Sequence, residues 1–180
     1  MSDSPTDAEI IARVLDGDTE SFGVLVDRYQ HEFAAFAKYM TGSAEEAADI
    51  VQESLVRAFK ALRRCQDRAN FKGWLFRIVS NQAKTHLKRR KRRSTEPLSE
   101  EIEAPQDLGS ESEAADLRRR VHQALQQLPT DQREALVLKY VEGLSLPEMC
   151  RLLRASASAL KMRLLRGRSA LREKFEGVEL

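Results

Sequence analysis

Apolar side chains recur along most of the chain at the three- and four-residue spacing of amphipathic helices, and strand-like alternation is almost absent. The first predicted helix begins at a capping box, Thr6 with Glu9, and ends at Gly17. A second helix continues to Gly42, and a third begins at Ser43. The pattern therefore predicts an all-α protein.

The third and fourth predicted helices complete an N-terminal helical bundle over residues 1–93. The apolar and small residues of the third helix predict one buried face: Ala47, Ile50, Val51, Ser54, Leu55, Ala58, Leu62 and Cys65. After the polar stretch "QDRANFK", the fourth helix directs Trp74 and Ile78 inward, which leaves Phe76 pointing outward. This helix continues into six consecutive basic residues, Lys88 to Arg93.

A second helical unit is predicted over residues 114–180. The intervening residues 94–113 contain two prolines, one glycine and no aromatic residue, which is the composition of a flexible linker. One helix of the second unit carries Leu136, Val137 and Tyr140 at its apolar positions. A capping box, Ser145 with Glu148, opens the next helix, and a short turn leads to a last, basic helix. Two helices joined in this way are typical of a helix-turn-helix.

Charge is distributed in four blocks of alternating sign, although the net charge is only +2. Residues 1–56 carry 3 basic and 12 acidic residues, and residues 57–93 carry 14 basic and 1 acidic. Residues 94–117 carry 8 acidic and no basic residues, and residues 118–180 carry 13 basic and 7 acidic. Two basic blocks favour docking of a polyanion at two places, and the acidic first block favours a cationic partner. Solvated helix faces are the alternative interpretation of any one block.

Several classes of protein are disfavoured. No segment approaches the roughly 20 apolar residues of a membrane span, and the start lacks a secretion signal, so we expect a cytoplasmic protein without membrane insertion. Cys65 and Cys150 are far apart without a CxxC pair, so we expect reduced, structural thiols rather than a zinc site or disulfide framework. His31, His86 and His122 are scattered, and no glycine-rich phosphate loop is present. The sequence thus favours neither an enzyme nor a cofactor.

The last predicted helix has an unusual outward face. A helical wheel places four residues on the packed side: Leu160, Leu164, Gly167 and Leu171. The opposite side presents Ser158, Met162, Leu165, Arg166 and Ser169, flanked by Lys161, Arg163, Arg168 and Arg172. Apolar side chains among cations suit the major groove of DNA, where arginines meet phosphates or guanine edges and apolar groups contact thymine methyls. Packing of Met162 or Leu165 within the unit is the alternative.

Four segments carry a resemblance to a known family. They are "DIVQESLVRAFKAL", "FKGWLFRIVSNQAKTHLKRRKRR", "LPTDQREALVLKYVEGLSLPEM" and "SALKMRLLRGRSALRE". In this order the chain, from about Ala8 to Glu173, resembles the extracytoplasmic-function (ECF, group IV) sigma factors of bacteria. The resemblance implies a sigma 2 and a sigma 4 domain that join core RNA polymerase and recognise the −10 and −35 promoter elements. It also implies control by a separate anti-sigma protein.

The resemblance assigns a polymerase-binding face to the third helix. Asp49, Gln52, Glu53 and Val56 lie opposite the buried face and match family positions that bind a helical clamp of the β′ subunit. Carboxylates beside an exposed valine suit a cationic helical partner, since the apolar contact gives affinity and the charges give orientation. A merely solvated face is the alternative.

The resemblance places recognition of the −10 element at "QDRANFK" and the following helix. In relatives this loop captures a flipped base, which can be read on its pairing edge only after unstacking. The candidates here are Asp67, Arg68, Asn70 and Phe71, with Arg77, Asn81, Lys84 and Lys88 guiding the DNA backbone and Phe76 as the stacking candidate. Trp74, which has an inward phase, is assigned to the core.

The −35 element is assigned to the last helix. Ser158, Lys161, Met162, Arg163, Leu165 and Arg166 are the candidate DNA contacts. Relatives usually place glycine in the preceding turn, where this chain has Arg154. If that position requires a positive φ, Arg154 carries strain on the order of 1 kcal/mol. A reshaped turn would shift the register of the base-reading residues. Cys150 stands where a small alanine is common, and we assign it to packing.

The linker has two interpretations. In the family it enters the RNA exit path of the polymerase, where the charge of Glu100, Glu101 and Glu103 would imitate RNA; a soluble spacer would have a similar composition. Two other functions compete with the sigma-factor hypothesis. A DNA-binding regulator independent of polymerase would explain the last two helices but not the Asp49 face, and an RNA-binding module lacks an aromatic-rich sheet. Promoter sequence, inducing stimulus and regulator cannot be derived from the sequence.

Overall fold

Every regular element in the part of the chain that the computed structural model describes, residues 4–93 and 113–175, is helical. The α-helices are α1 (Asp7–Leu15), α2 (Phe22–Thr41), α3 (Ala44–Lys60), α4 (Phe71–Arg93), α5 (Glu113–Gln126), α6 (Thr130–Leu136), α7 (Leu146–Leu153) and α8 (Ala157–Phe175). Short 3₁₀ turns cover Thr19–Ser21, Leu62–Arg64 and Arg68–Asn70. The expected all-α fold with two helical units is confirmed. The linker glutamates Glu100, Glu101 and Glu103 lie outside the described residues.

Local sequence determines where the N-terminal helices begin and end. The Thr6 hydroxyl accepts a hydrogen bond from Glu9 N, and the Glu9 carboxylate accepts from Thr6 N at 2.8 Å, so the predicted capping box forms. Gly42 ends α2 with φ 87°, in the left-handed region that glycine adopts without strain. Ser43 caps α3 through its hydroxyl, but the Glu46 carboxylate pairs with α4 instead of completing a second box.

The N-terminal unit, residues 4–93, packs α2, α3 and α4 around one aromatic and aliphatic core. All eight residues predicted on the buried face of the third helix are buried, including Leu62 and Cys65, which lie after the end of α3. The helix itself ends at Lys60, and the 3₁₀ turn that follows keeps Leu62 and Cys65 directed inward. This unit positions the outer face of α3 and the whole of α4.

In the C-terminal unit, residues 113–175, α7 and α8 form a helix-turn-helix, and α8 packs on α6. The predicted packed side of α8 is confirmed: Leu160 and Gly167 are buried, and Leu164 and Leu171 are partly buried. A Cβ on Gly167 would lie 2.9 Å from Leu136 Cδ1, so glycine lets α8 approach α6 closely.

One apolar position of this unit differs from expectation. After Leu136 the backbone forms a π-helical segment, Val137–Val141. A π turn contains more residues than an α turn and therefore rotates the following side chains away from their α-helical positions. Val137 is buried as expected, whereas Tyr140 is 60% exposed.

The two units contact each other through α2 and α4 on one side and α5, α6 and α7 on the other. The Arg133 guanidinium, which is buried, donates to the carbonyl oxygen of Met40 and, at 2.6 Å, to Gln126 Oε1. Burial lowers the pKa of Arg133 to about 10, so the group stays charged at neutral pH. Gln126 Nε2 donates in turn to Tyr39 O at 2.8 Å. Together these bonds satisfy carbonyls at the end of α2.

Candidate partner and nucleic-acid interfaces

The outer face of α3 combines acidic, amide and apolar groups. Asp49, Gln52, Glu53 and Val56 are all exposed, and Val56 is 47% exposed. The opposite face is packed in the core, so the helix cannot rotate to bury these side chains. A partner helix would therefore meet a fixed row of groups spaced at about one helical turn.

The Glu53 carboxylate on this face is ionised and held in position. Arg57, one turn later, donates to it at 2.6 Å. The hydrogen bond from Arg57 lowers the pKa of Glu53 below its usual value. Sequence reasoning missed Phe59, which is 40% exposed and lies three residues after Val56. The helical spacing from Val56 could have identified it as part of the same apolar surface.

The loop before α4 presents exposed polar side chains, among them the candidates Asp67, Arg68 and Asn70. The Asp67 carbonyl oxygen accepts a hydrogen bond from Asn70 N at 3.2 Å and lies 3.6 Å from Cys65 Sγ, which gives the loop a regular turn. A Cβ on Gly73 would lie 2.6 Å from Asn70 Oδ1, so the missing side chain lets Asn70 lie across the first turn of α4. The loop therefore offers hydrogen-bonding groups on a structured backbone.

The two aromatic candidates of this region are not exposed, and the expectation that Phe76 points outward is wrong. Phe76 is 4% exposed, because its ring packs against Phe33 and Phe36 of α2 with centroid distances of 5.2 and 4.6 Å. Phe71 is fully buried beside Tyr29. Trp74 is partly buried against the core, as its inward phase predicted. Neither phenylalanine can stack on a base without leaving the core.

The polar stripe of α4 is shared between solvent and the C-terminal unit. Asn81 and Lys88 are exposed. Arg77 instead donates through Nε to Leu152 O at 3.3 Å and through a terminal nitrogen to Arg151 O at 3.1 Å. Lys84 Nζ lies 3.0 Å from Glu134 Oε1. The structure thus brings two of the predicted DNA contacts against α6 and α7.

The outward face of α8 keeps its apolar residues in solvent. Met162 is 45% exposed and Leu165 is 49% exposed, which excludes the alternative that either packs fully within the unit. Ser158, Lys161 and Arg166 are exposed around them. Arg163 is half-buried and lies 3.4 Å from Asp131 of α6. Met162 and Leu165 therefore form an apolar patch with a cationic surround, the surface that the helical wheel predicted.

The turn before α8 has a left-handed conformation, which glycine adopts without strain. Arg154 adopts φ 50° and ψ 44°, the left-handed region, and its N–H donates to Cys150 O. Arg154 therefore occupies the strained left-handed position at the end of α7, the conformation considered in the sequence analysis. Cys150 is partly buried against the core, in agreement with a packing role.

Other candidate chemistry is sparse in residues 4–93 and 113–175. No group of three or more histidine, cysteine or acidic side chains is arranged to hold a metal ion there. His86 has a carboxylate partner, since its Nε2 lies 3.2 Å from Glu46 Oε1. Burial raises the pKa of the Cys65 thiol, which makes it a weaker nucleophile. No helix in the described ranges has the length and apolar character of a membrane span.

Comparison with protein families identifies both units. Residues 25–93 match the model for sigma-70 region 2, and residues 118–171 match that for sigma-70 region 4. The chain is 34% identical to the RNA polymerase sigma-H factor of Pseudomonas aeruginosa, over 92% of this chain and 91% of that protein. It is 31% identical to the ECF RNA polymerase sigma-E factor of Escherichia coli K12, over 98% and 97% of the two chains.

Solved structures give the same result. CnrH, in complex with the cytosolic domain of CnrY, matches with a TM-score of 0.69 at 28% identity, over 96% of this chain and 99% of that one. The sigma factor RpoE of Bartonella quintana, in complex with the anti-sigma factor NepR, matches in fold with a TM-score of 0.69 at 24% identity, over 89% and 99%. Fold and sequence define a two-domain transcription initiation factor of the sigma-70 type. The chain belongs to the ECF RNA polymerase sigma factors.

Proposed function

We propose that three segments of this sigma factor have separate roles. Residues 1–93 form the sigma 2 domain, which binds core polymerase and recognises and melts the −10 element. Residues 94–113 connect it to a sigma 4 domain, residues 114–180, which recognises the −35 element. The observation that carries this proposal is the presence, on one chain, of an exposed acidic and apolar face on α3 and an exposed apolar patch among cations on α8.

The face of α3 is the proposed site for the β′ subunit. Asp49 and Glu53 supply negative charge, and the exposed Val56 supplies an apolar contact one helical turn after Glu53. Such a combination suits a basic helix, because buried apolar area provides most of the affinity while charge sets orientation and association rate. Gln52 adds hydrogen-bonding capacity between the two carboxylates.

The −10 element is assigned to the Asp67–Asn70 loop and the polar stripe of α4. The loop side chains are exposed and can reach the pairing edge of an unstacked base. Asn81 and Lys88 are exposed for contact with the DNA backbone, and Arg77 and Lys84 lie on the same helix. Because Phe71 and Phe76 are buried, base stacking by these two rings is dropped from the proposal.

The −35 element is assigned to α8 in the major groove. Met162 and Leu165 would contact apolar base edges such as thymine methyls, while Lys161 and Arg166 contact phosphates or guanine. Ser158 adds a short hydrogen-bonding group at the N-terminal end of the helix. Arg163 contributes charge, although its pairing with Asp131 limits its reach.

The partners follow from these roles. Core RNA polymerase, through its β′ and β subunits, would supply all catalysis, so the chain itself would act in the cytoplasm as a binding factor and not as an enzyme. Exposed faces that bind polymerase also offer a place for a protein regulator to compete. CnrH is seen with the cytosolic domain of another protein, CnrY, and we expect a comparable anti-sigma partner here.

Transcription in vitro with bacterial core polymerase and a library of randomised promoters tests the proposal. Transcripts that depend on this protein should share one −35 and −10 pair. The double charge reversal Asp49→Lys with Glu53→Lys should abolish polymerase capture and transcription but leave duplex DNA binding intact. Asp16→Lys with Asp27→Lys reverses two exposed carboxylates outside α3 with the same change in net charge and is the matched control. Duplex binding without any dependent transcript would favour the polymerase-independent DNA-binding regulator.

A further inference from the structure

The polar stripe of α4 that is assigned to the −10 strand is partly covered by the C-terminal unit. Arg77 bonds the backbone of α7, and Lys84 reaches α6. Between them, one helical turn after Arg77, stands Ser80, whose hydroxyl donates to the Glu134 carboxylate of α6. The covered part therefore includes one residue, Ser80, that the sequence did not suggest as functional.

The covering group is a carboxylate in a fixed position. Glu134 has no exposed surface, and its two oxygens lie 3.0 and 3.2 Å from Lys84 Nζ. A hydroxyl and an ammonium group that converge on anionic oxygens are the same donors that proteins use for DNA phosphates. The site on α4 is therefore complementary to any anionic oxygen pair, whether it belongs to a carboxylate or to a phosphate.

We propose that Ser80 and Lys84 form a binding site for one backbone phosphate of the −10 strand, and that Glu134 fills this site while the two units are in contact. Contact between the two units and binding of the DNA strand at this site then exclude each other. This inference rests on the proposed role of α4 in −10 recognition. It adds Ser80 to the DNA contacts and gives Glu134 a regulatory role as an internal phosphate surrogate.

The energetics favour an exchangeable contact over a permanent one. Removing a carboxylate from water is costly, and pairing repays the cost only in part, so buried ion pairs contribute little net stability. When the two units separate, both Glu134 and Lys84 are hydrated again. A polyanion can then bind to the Ser80 and Lys84 donors that Glu134 has left. The neighbouring Arg133 donates to the carbonyl oxygen of Met40 at the end of α2, so the contact has a second anchor that involves no DNA-binding residue.

Binding of the full chain to fluorescein-labelled single-stranded DNA of random sequence tests the inference. Glu134→Gln should tighten binding about 3- to 10-fold, because Lys84 becomes available. Freeing one phosphate contact should also steepen the dependence of log K on log salt by about 0.7. Asp116→Asn removes the same charge from α5, where Asp116 pairs with Arg119, and should give neither change. Adding Lys84→Gln or Ser80→Ala to the Glu134→Gln chain should reverse most of the gain.

Small-angle scattering and circular dichroism complete the test. A second variant, Gln126→Ala with Arg133→Gln, removes the side-chain hydrogen bonds to the Tyr39 and Met40 carbonyl oxygens without altering the α4 site. It should expand the chain and tighten DNA binding with helix content unchanged. If Glu134→Gln fails to fold, this variant decides alone. An expanded chain with unchanged DNA affinity overturns the inference, and so does an unexpanded chain whose DNA affinity rises.

Transcription assays separate this inference from the proposed function. Promoter-specific transcription by the wild-type chain, combined with no effect of Glu134→Gln on DNA affinity, would overturn the phosphate site alone. Absence of transcription together with the predicted affinity changes would instead remove the −10 assignment and retain an anion site on α4.

Discussion

The ring of Phe76 meets the ring of Phe36 nearly edge-on, with centroids 4.6 Å apart and an angle of 62° between the ring planes. This geometry is favourable for aromatic pairs and adds to the free energy gained by burying both rings. A residue at an apparently outward position of α4 is thus part of the junction between α4 and α2.

Truncation of this ring should therefore destabilise the protein. We expect Phe76→Ala to lower the free energy of unfolding by about 3–5 kcal/mol, measured by urea denaturation. Phe76→Leu keeps most of the volume and should cost less than about 1.5 kcal/mol while promoter melting is retained. A Phe76→Leu chain of normal stability that no longer melts promoters would restore the stacking role.

The turn of the helix-turn-helix should tolerate glycine better than arginine. Arg154 holds φ 50°, where a Cβ is strained, so Arg154→Gly should raise the free energy of unfolding by up to about 1 kcal/mol. Arg154→Ala keeps the Cβ while it removes the charge, and it should show no comparable gain. Chemical denaturation of the three chains side by side checks this, and equal gains for glycine and alanine would contradict the strain argument.

The sequence predicted those features that depend on nearby residues. Capping at Thr6 and Ser145, the end of α2 at Gly42 and the inner face of α3 all follow from groups within a few positions of each other. The exposed face of α8 also follows, because that helix packs on one side only.

Prediction failed where a helix is covered from two directions. A helical wheel divides α4 into one inner and one outer side, but α4 packs on α2 and α3 and also meets α7 and Glu134 of α6. Phe76 and Ser80 are buried as a result. The prediction for Tyr140 was wrong for a different reason. A π-helical segment changes the rotation per residue, and no local residue pattern indicates that such a segment forms here. Contacts between units depend on residues about 50 to 90 positions apart, which periodicity does not encode.

The apolar patch on α8 should contribute to DNA binding and not to stability. Met162→Ala and Leu165→Ala should each change the free energy of unfolding by less than about 0.5 kcal/mol, because both side chains are half-exposed. Transcription from a −35-dependent promoter should fall several-fold with either variant. Leu160→Ala, on the buried side of the same helix, should cost about 2–5 kcal/mol. Normal transcription by the Met162→Ala, Leu165→Ala double variant would remove both residues from the −35 interface.

Contact between the units should weaken as Glu142 ionises. Burial, and next the nearby Glu32, raise the pKa of Glu142 above its usual value of 4.5, although Lys72 partly opposes them. Stability that depends on protonated Glu142 is therefore complete below about pH 4.5 and is lost as pH rises through the raised pKa. Glutamine does not ionise, so Glu142→Gln should be more stable than the wild type at pH 7 to 8.

The extra stability of Glu142→Gln over the wild type should shrink as pH falls towards 4.5. Thermal unfolding of the variant and the wild type across that range measures it. Glu32→Gln removes one of the two effects that raise the pKa of Glu142. The stability gained from Glu142→Gln should therefore be smaller in a chain that carries Glu32→Gln. Lys72, which lies 2.6 Å from Glu32, is left without that partner and can turn more fully towards Glu142. A gain that is constant from pH 4 to 8 would show that Glu142→Gln acts through packing and that ionisation of Glu142 does not oppose the contact.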